Sequence, residues 1–238
     1  MKNKDRRVGF HSIESIIQNN PYKIKKLFLP STRDDKRLNN LIRLSEKNGI
    51  NFEISKKLKK EPEALIIDEE IMNFKDLKNY LDKFEKKEYS ILILDNIIDP
   101  RNLGACIRSA AVLEVDALII NKHHCAPLND IAHSVSAGGA EVVKIFHISN
   151  LINCIKYLKK LNIKIFGLSE HAKESYTNYD FKESCAIIMG SEEFGIRKKT
   201  LENCNSLIKL NDNKNFKSFN VSVATGIILS EVVRQRKC

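Results

Sequence analysis

From Tyr89 onward the sequence alternates short, nearly unbroken apolar runs with segments of helical length, and this alternation limits the fold more than any other feature. The runs are Ile91–Leu94, Ala117–Ile120, Val142–Phe146, Lys164–Leu168, Ala186–Met189 and Leu207–Leu210. A strand that is apolar on both faces must be covered on both, which is the condition of a parallel sheet flanked by helices. The expected class is therefore α/β with a mainly parallel sheet. Such sheets bind ligands beyond the carboxyl ends of their strands, so the loops after Leu94, Leu168, Met189 and Leu210 are the places for a site.

The chain before this region has a different character. Ser12 is placed to cap a short helix carrying Ile13, Ile16 and Ile17, and Ile24–Leu29 reads as a strand. Asp34–Asn48 has helical periodicity ended by Gly49, and Ile50–Ile54 reads as a second strand. This is a small α/β unit. Lys56–Glu88 is dense in Lys and Glu, with apolar residues at Phe74, Leu77, Leu81 and Phe84, as in a linker or an exposed connecting helix. The expected division is residues 1–70 as a small basic domain, 71–88 as a charged linker and 89–238 as the larger domain.

The 238-residue chain carries a net charge of +10, and its location matters more than its size. Residues 1–60 hold 16 Lys and Arg against 6 Asp and Glu, whereas the remainder holds 24 of each. Clustered cations favour a polyanionic partner through counterion release. A solvated, lysine-rich surface is the other reading of the same residues. The amino-terminal residues are charged and polar, and the apolar runs are short, so a soluble, unexported, cytoplasmic chain without membrane contact is expected. Six cysteines without a CxxC suit reduced thiols. His123-His124-Cys125 is a lone cluster with no second pair at zinc-ligand spacing.

Three loops carry candidate chemistry. In Asp99-Pro100-Arg101-Asn102-Leu103-Gly104, Pro100 fixes its own φ, Asn102 suits an N-cap, and Gly104 permits close backbone approach. Arg108 stands four residues after Gly104 and leans back toward the loop, where an anion would meet it, the Asn102 amide and the helix N-terminus. Taken alone, that stretch is more commonly a capped helix with a surface arginine. Gly190-Ser191-Glu192-Glu193-Phe194-Gly195 places two glycines around acids, as in a loop lying against a ligand. Phe216–Ser222 leads into a final helix that is apolar over much of its circumference and so demands burial. Ser222, Gly226 and Ser230 form a small-residue stripe on it, suited to close approach of a helix from the same chain or a partner.

Asn102-x-Gly104-x-x-x-Arg108, Gly190-x-Glu192-x-x-Gly195 and Ser218-Phe219-Asn220-Val221-Ser222-Val223-Ala224, in that order and each after a strand, resemble the three motifs of the SpoU/TrmH family of RNA ribose 2′-O-methyltransferases. Ser136–Glu141 and the ending Glu231–Arg236 extend the resemblance over residues 91–236. Gly9-Phe10-His11 and Arg33–Arg37 resemble the substrate-binding domain of bacterial members acting on a guanosine of large-subunit ribosomal RNA. Two stretches depart from the pattern: Lys60–Ile67 lacks the usual His-Gly, and Asn211–Asn215 replaces a loop bearing proline and glycine. Phe219 stands where leucine is usual.

The resemblance implies a deep trefoil knot, a homodimer and S-adenosylmethionine held near Leu168, Gly190, Gly195, Leu210 and Phe219. It implies RNA, specifically 23S rRNA, as partner, with Arg33, Lys36 and Arg37 as contacts. Asn102, Arg108, Glu192, Ser218 and Asn220 are the implied catalytic set. Methyl transfer from a sulfonium needs an aligned 2′-hydroxyl and stabilisation of the charge developing on its oxygen, and needs no metal. A guanidinium is a poor base in water. Arg108 is therefore expected to hold the adjacent phosphate and the developing alkoxide, with Asn102 orienting it or the ribose. Glu192 is expected to fix its loop or pair with Arg108, and Ser218 and Asn220 to shape the pocket. Transfer RNA as substrate, or a catalytically silent RNA-binding assembly factor, are the alternatives. The nucleotide-dependent kinases and dehydrogenases are disfavoured because neither phosphate-binding fingerprint is present.

Overall fold

The computed structural model describes residues 6–67, 71–83, 88–211, 213 and 218–237. Two sheets organise them. The first has four strands, β1 (Arg6–Val8), β2 (Ile24–Pro30), β3 (Phe52–Ser55) and β4 (Glu63–Ile66), in the order β1-β4-β2-β3. β2 and β3 are parallel, and β4 runs antiparallel to both β1 and β2. Helices α1 (Phe10–Asn19) and α2 (Lys36–Lys47) bury Phe10, Ile13, Ile16, Leu38 and Leu41 against Leu27 and Leu29 of the sheet.

Several expected boundaries shift, each for a local reason. Helix α1 begins at Phe10 with Gly9 in the N-cap position, and Ser12 is buried inside it, because Phe10 is itself needed in the core. Asp35 caps α2, its carboxylate accepting from the Arg37 and Leu38 amides at 3.0 and 2.9 Å. Ile50 closes that helix instead of starting a strand, its amide donating to the Ser45 carbonyl at 2.9 Å. Strand β3 therefore starts at Phe52 and, at the sheet edge, leaves Ile54 exposed. The atypical Lys60–Ile67 stretch supplies β4, an interior strand of this sheet.

The second sheet has seven strands: β5 (Ser90–Leu94), β6 (Ala117–Asn121), β7 (Ile145–Ile148), β8 (Lys164–Leu168), β9 (Glu174–Ser175), β10 (Cys185–Met189) and β11 (Ser206–Lys209). Their order is β7-β6-β5-β10-β8-β11-β9, and every pairing is parallel. Successive side chains of a strand point to opposite faces, and both faces here are buried. Leu92, Leu94, Leu118, Ile120, Ile187 and Met189 face α4 (Pro100–Val112), α5 (Asp130–Ser136) and α8 (Val221–Lys237). Ile91, Ile93, Ala117, Ile119, Ala186 and Ile188 face α3 (Phe74–Lys83), α6 (Leu151–Lys160) and the region of the short α7 (Lys198–Leu201). Each large aliphatic side chain so buried contributes about 1.5–3 kcal/mol, which is why the strand runs are so unbroken.

The segment expected to be a linker or an exposed connecting helix does more than connect. Leu77 and Leu81 of α3 lie in the core, and the His147 amide donates to the Met72 carbonyl at 2.8 Å. Phe84, the last apolar residue of that expected pattern, lies outside the described residues. Strand β7 starts at Ile145 because the amides of Val142 and Val143 return to the Gly139 carbonyl in a 3-10 turn over Gly139–Glu141. The full burial expected of α8 holds for Ala224, Thr225, Ile228 and Val232, but one flank is open, with Val223 50% exposed. Among the described residues no helix is long and apolar enough to cross a membrane. Cys106, Cys125, Cys154, Cys185 and Cys204 are free thiols, and Cys238 lies outside the described residues.

Candidate active site

The carboxyl ends of β5, β10, β8 and β11, four neighbouring strands, carry the loops that the sequence singles out. Asp99 rather than Asn102 caps α4, accepting from the Arg101 amide at 2.8 Å, because Pro100 takes the first helical position. Asn102 is thus inside the first turn, and its amide is free to reach outward. Its Nδ2 donates to Glu192 Oε1 at 3.1 Å, and its Oδ1 accepts from Asn220 Nδ2 at 3.1 Å. Asn220 Nδ2 also donates to Glu192 Oε1 in a close contact, and the Val221 amide donates to the same oxygen at 3.2 Å. Asn220 Oδ1 in turn accepts from the Ser222 amide and hydroxyl at 3.0 and 2.6 Å, which caps α8.

Three residues from three loops, 90 and 28 positions apart along the chain, therefore close one hydrogen-bonded ring. Among the described residues the carboxylate at its centre accepts from neutral donors and from the amino end of α8, where a negative charge is favoured. Arg108 is not part of this ring. It lies about 9 Å farther along α4 by helix rise, exposed, with no hydrogen bond or ion pair among the described residues. The expected alternative of a Glu192–Arg108 pair is replaced by the Glu192–Asn102–Asn220 ring.

The loop that offers Glu192 is held in shape by its own backbone. Ser191 and Gly195 exchange amide-to-carbonyl bonds at 3.2 and 2.9 Å, and the Phe194 amide donates to Ser191 Oγ at 3.0 Å. A Cβ on Gly190 would stand 2.1 Å from the Gly195 carbonyl carbon, so no other residue fits there. Beneath the loop is a group that sequence reasoning missed. The fully buried carboxylate of Asp95 accepts from Arg197 Nε at 2.8 Å and Asn121 Nδ2 at 2.9 Å. This pins the exit of the loop to the end of β5. The available signal was an acid ending an otherwise apolar strand and an arginine two positions after Gly195.

A cavity of about 220 Å³ lies beside the ring. Leu168, Gly190, Gly195, Leu210 and Phe219, the five expected cofactor contacts, all line it, as do Glu192 and Ser218. Asp212 and 214–217, which include Phe216, Lys217 and most of the atypical loop, lie outside the described residues. The lining suits a cationic, adenine-bearing ligand. Glu170, Glu192 and Glu193 offer negative charge, Phe194 and Phe219 present half-exposed or exposed rings, and Met189 and Leu168 give an apolar wall. Among the described residues no group of three or more His, Cys, Asp or Glu side chains is placed to hold a metal, the His123–Cys125 cluster included.

The three expected RNA contacts are not equivalent. The Arg33 and Arg37 guanidinium groups both lie over the Phe10 ring, 4.4 and 4.8 Å from its centroid. Arg33 also pairs with Asp35 at 2.5 Å and donates to the Lys60 carbonyl at 3.0 Å, and Arg37 is 3.6 Å from Glu14. Lys36 is exposed and has no ion pair among the described residues.

Comparison with known proteins places these features in context. Residues 89–230 match the SpoU rRNA Methylase family, and residues 8–59 match the RNA 2′-O ribose methyltransferase substrate binding family. A 23S rRNA (guanosine-2′-O-)-methyltransferase RlmB of Blochmanniella floridana is 37% identical over 239 residues, covering 96% of this chain and 94% of that protein. The protein of the same description from Escherichia coli K12 is 33% identical over 96% of this chain and 97% of its own length. Among solved structures, the SpoU methyltransferase AviRb from Streptomyces viridochromogenes in complex with AdoMet superposes with a TM-score of 0.79. It is 19% identical and covers 98% of this chain and 90% of its own, a likeness of fold.

Proposed function

The chain belongs to the SpoU rRNA methylase family, and from that premise we propose that it transfers a methyl group from S-adenosylmethionine to the ribose 2′-hydroxyl of a guanosine in 23S rRNA. The observation that carries this reading is the Asn102–Glu192–Asn220 ring set directly against the Leu168–Phe219 cavity. The cavity residues hold the cofactor, which supplies an already activated sulfonium methyl. Glu192 and the acids beside it complement that positive charge, and the ring fixes the loop wall against which the ribose must lie.

Arg108 supplies the charge on the RNA side. Its guanidinium, uncommitted among the described residues, binds the phosphate next to the target ribose and steadies the developing alkoxide through paired N–H donors. Asn102, already donating to Glu192, orients the ribose side of the ring. The basic first unit, residues 1–70, grips the RNA, with 71–88 as its connection to the methyltransferase unit at 89–238. Lys36 makes the freer phosphate contact, and Arg33 and Arg37 add their charge while bracing Phe10.

Three further properties belong to this reading. A trefoil knot is supported by membership of the family, and the described residues place β11 beside β8 and α8 on α4. A homodimer is supported by the open flank of α8, where Val223 adjoins the Ser222–Gly226–Ser230 stripe; a Cβ on Gly226 would have its nearest neighbour, Ser109 Oγ, 3.9 Å away. A substrate in the ribosome places the protein in the cytoplasm. The test is methyl transfer from labelled S-adenosylmethionine to protein-free 23S rRNA and to transfer RNA, with cofactor binding followed by calorimetry. Incorporation into 23S rRNA, and loss of cofactor binding in Gly190→Ala, are expected. RNA binding without incorporation would identify a silent assembly factor instead.

A further inference from the structure

The turn Ser136–Glu141, which the site above leaves unused, lies between the two sheets of the molecule. On one side it meets the basic first unit. Arg7 of β1 donates from Nε to Glu141 Oε1 at 3.0 Å, with the two side chains only 12% and 5% exposed. Ser15 of α1 donates from Oγ to the Gly138 carbonyl at 3.1 Å. Gly138 has a φ of 91°, and a Cβ there would lie 2.6 Å from Ser15 Cβ and 2.9 Å from the His11 carbonyl oxygen. The two backbones meet as closely as atoms allow. On its other side the same turn touches α4, since a Cβ on Gly139 would stand 3.2 Å from Arg108 Cα.

Glu141 is not a surface acid that happens to find a cation. His133 Nδ1 lies 3.4 Å from the same carboxylate oxygen. Burial raises the carboxyl's hold on its proton, yet His133 and Arg7 outweigh that effect and keep it below the ordinary value. A guanidinium and a carboxylate withdrawn from water are each costly alone and tolerable only together. Such a pair favours one placement of the units that carry it, because displacement parts two charges that burial makes costly to separate.

We propose that Arg7 and Glu141 are positioning residues for the methyl transfer: their buried pair docks the basic first unit on the Ser136–Glu141 turn and so sets where bound RNA meets Arg108. The inference rests on the methyltransferase reading for its consequence, but the docking itself does not. Neither residue touches the cavity or the ring, so both act through the placement of the RNA.

The test uses the full chain with Arg7→Ala, Glu141→Gln and their combination, followed by small-angle X-ray scattering, cofactor calorimetry and steady-state methylation. Each single change is expected to lengthen the scattering distance distribution and to raise the KM for rRNA about tenfold or more. Affinity for S-adenosylmethionine should stay within about twofold, and the double change should be no worse than either single one. Arg7→Lys, which keeps the charge, should recover part of the loss. Should Glu141→Gln not fold, Arg7→Ala, on a three-residue edge strand, carries the same comparison. Scattering profiles that superpose on the wild type would overturn the proposal, as would expansion with an unchanged KM or an equal loss of cofactor affinity. A wild-type protein that transfers no methyl would instead defeat the functional reading, and scattering would still decide the docking.

Discussion

Glu192 and Arg108 are opposites in how their polar atoms are committed. One carboxylate oxygen of Glu192 gathers three donors from α4 and α8, whereas Arg108 has no partner among the described residues. The first is a fixed part of the wall, and the second is free to meet a phosphate. Arg108→Ala is therefore expected to lower the single-turnover methylation rate about 10²–10³-fold, the scale of a lost charge-stabilising donor. Arg108→Lys should recover only part of that rate, because a single ammonium cannot form the paired contact. Near-normal rates for both variants on bound RNA across pH would remove Arg108 from the chemistry. Glu192 was legible in the sequence as an acid between two glycines, and Asn220 through the resemblance of its motif to the family's. The pairing of Asp95 with Arg197 was not, because at 102 positions apart neither residue's local signal points to the other.

At the level of elements, the strands of the large sheet were the most legible, since burial on both faces leaves an unbroken apolar run. Helix starts were less so. A capping side chain is favoured by about one hydrogen bond, and core demand at Phe10 or the fixed φ of Pro100 overrides it. The same reasoning separates the cations of α2 and the loop before it. Lys36→Ala should weaken RNA binding and flatten its salt dependence by somewhat under one unit of logarithmic slope, with cofactor affinity unchanged. Arg33→Ala should also lower the thermal midpoint, since it removes one of the two guanidinium groups over Phe10, the ion pair with Asp35 and the bond to the Lys60 carbonyl. An unchanged salt slope in both would reject this surface as the RNA footprint. The end of α8 makes a pH-dependent prediction. Hydrogen bonds from Arg234, opposed by burial and joined by Gln235, bring the Glu231 carboxyl down to about 2. A depressed folded value means that the contribution is complete above the ordinary carboxylate range, near 4.5, and is lost as pH falls toward 2. The difference in thermal midpoint between wild type and Glu231→Gln should thus be constant from pH 7 to 5 and shrink steadily below it. A difference that persists undiminished at pH 3 would show that Glu231 contributes by packing rather than charge.

Across the whole molecule, the charge asymmetry and the parallel sheet follow different logics that meet at one surface. All of the excess positive charge lies in the first 60 residues, while the second part is neutral in sum and builds its site from loops at the sheet's carboxyl edge. How the parts face one another was not legible, because it depends on pairs such as Arg7 and Glu141, 134 positions apart, whose residue types are unremarkable singly. The open flank of α8 likewise emerges only when the other faces of that helix are seen to be filled. The central claim is that this arrangement methylates one ribose oxygen of ribosomal RNA, and the direct measurement is a nucleotide-resolution map of 2′-O-methylation in 23S rRNA from cells with and without the protein. A methylated guanosine is expected to disappear when the protein is absent and to return with the wild type but not with Arg108→Ala. An identical map in the two cells, with a change confined to transfer RNA or to no RNA at all, would contradict it.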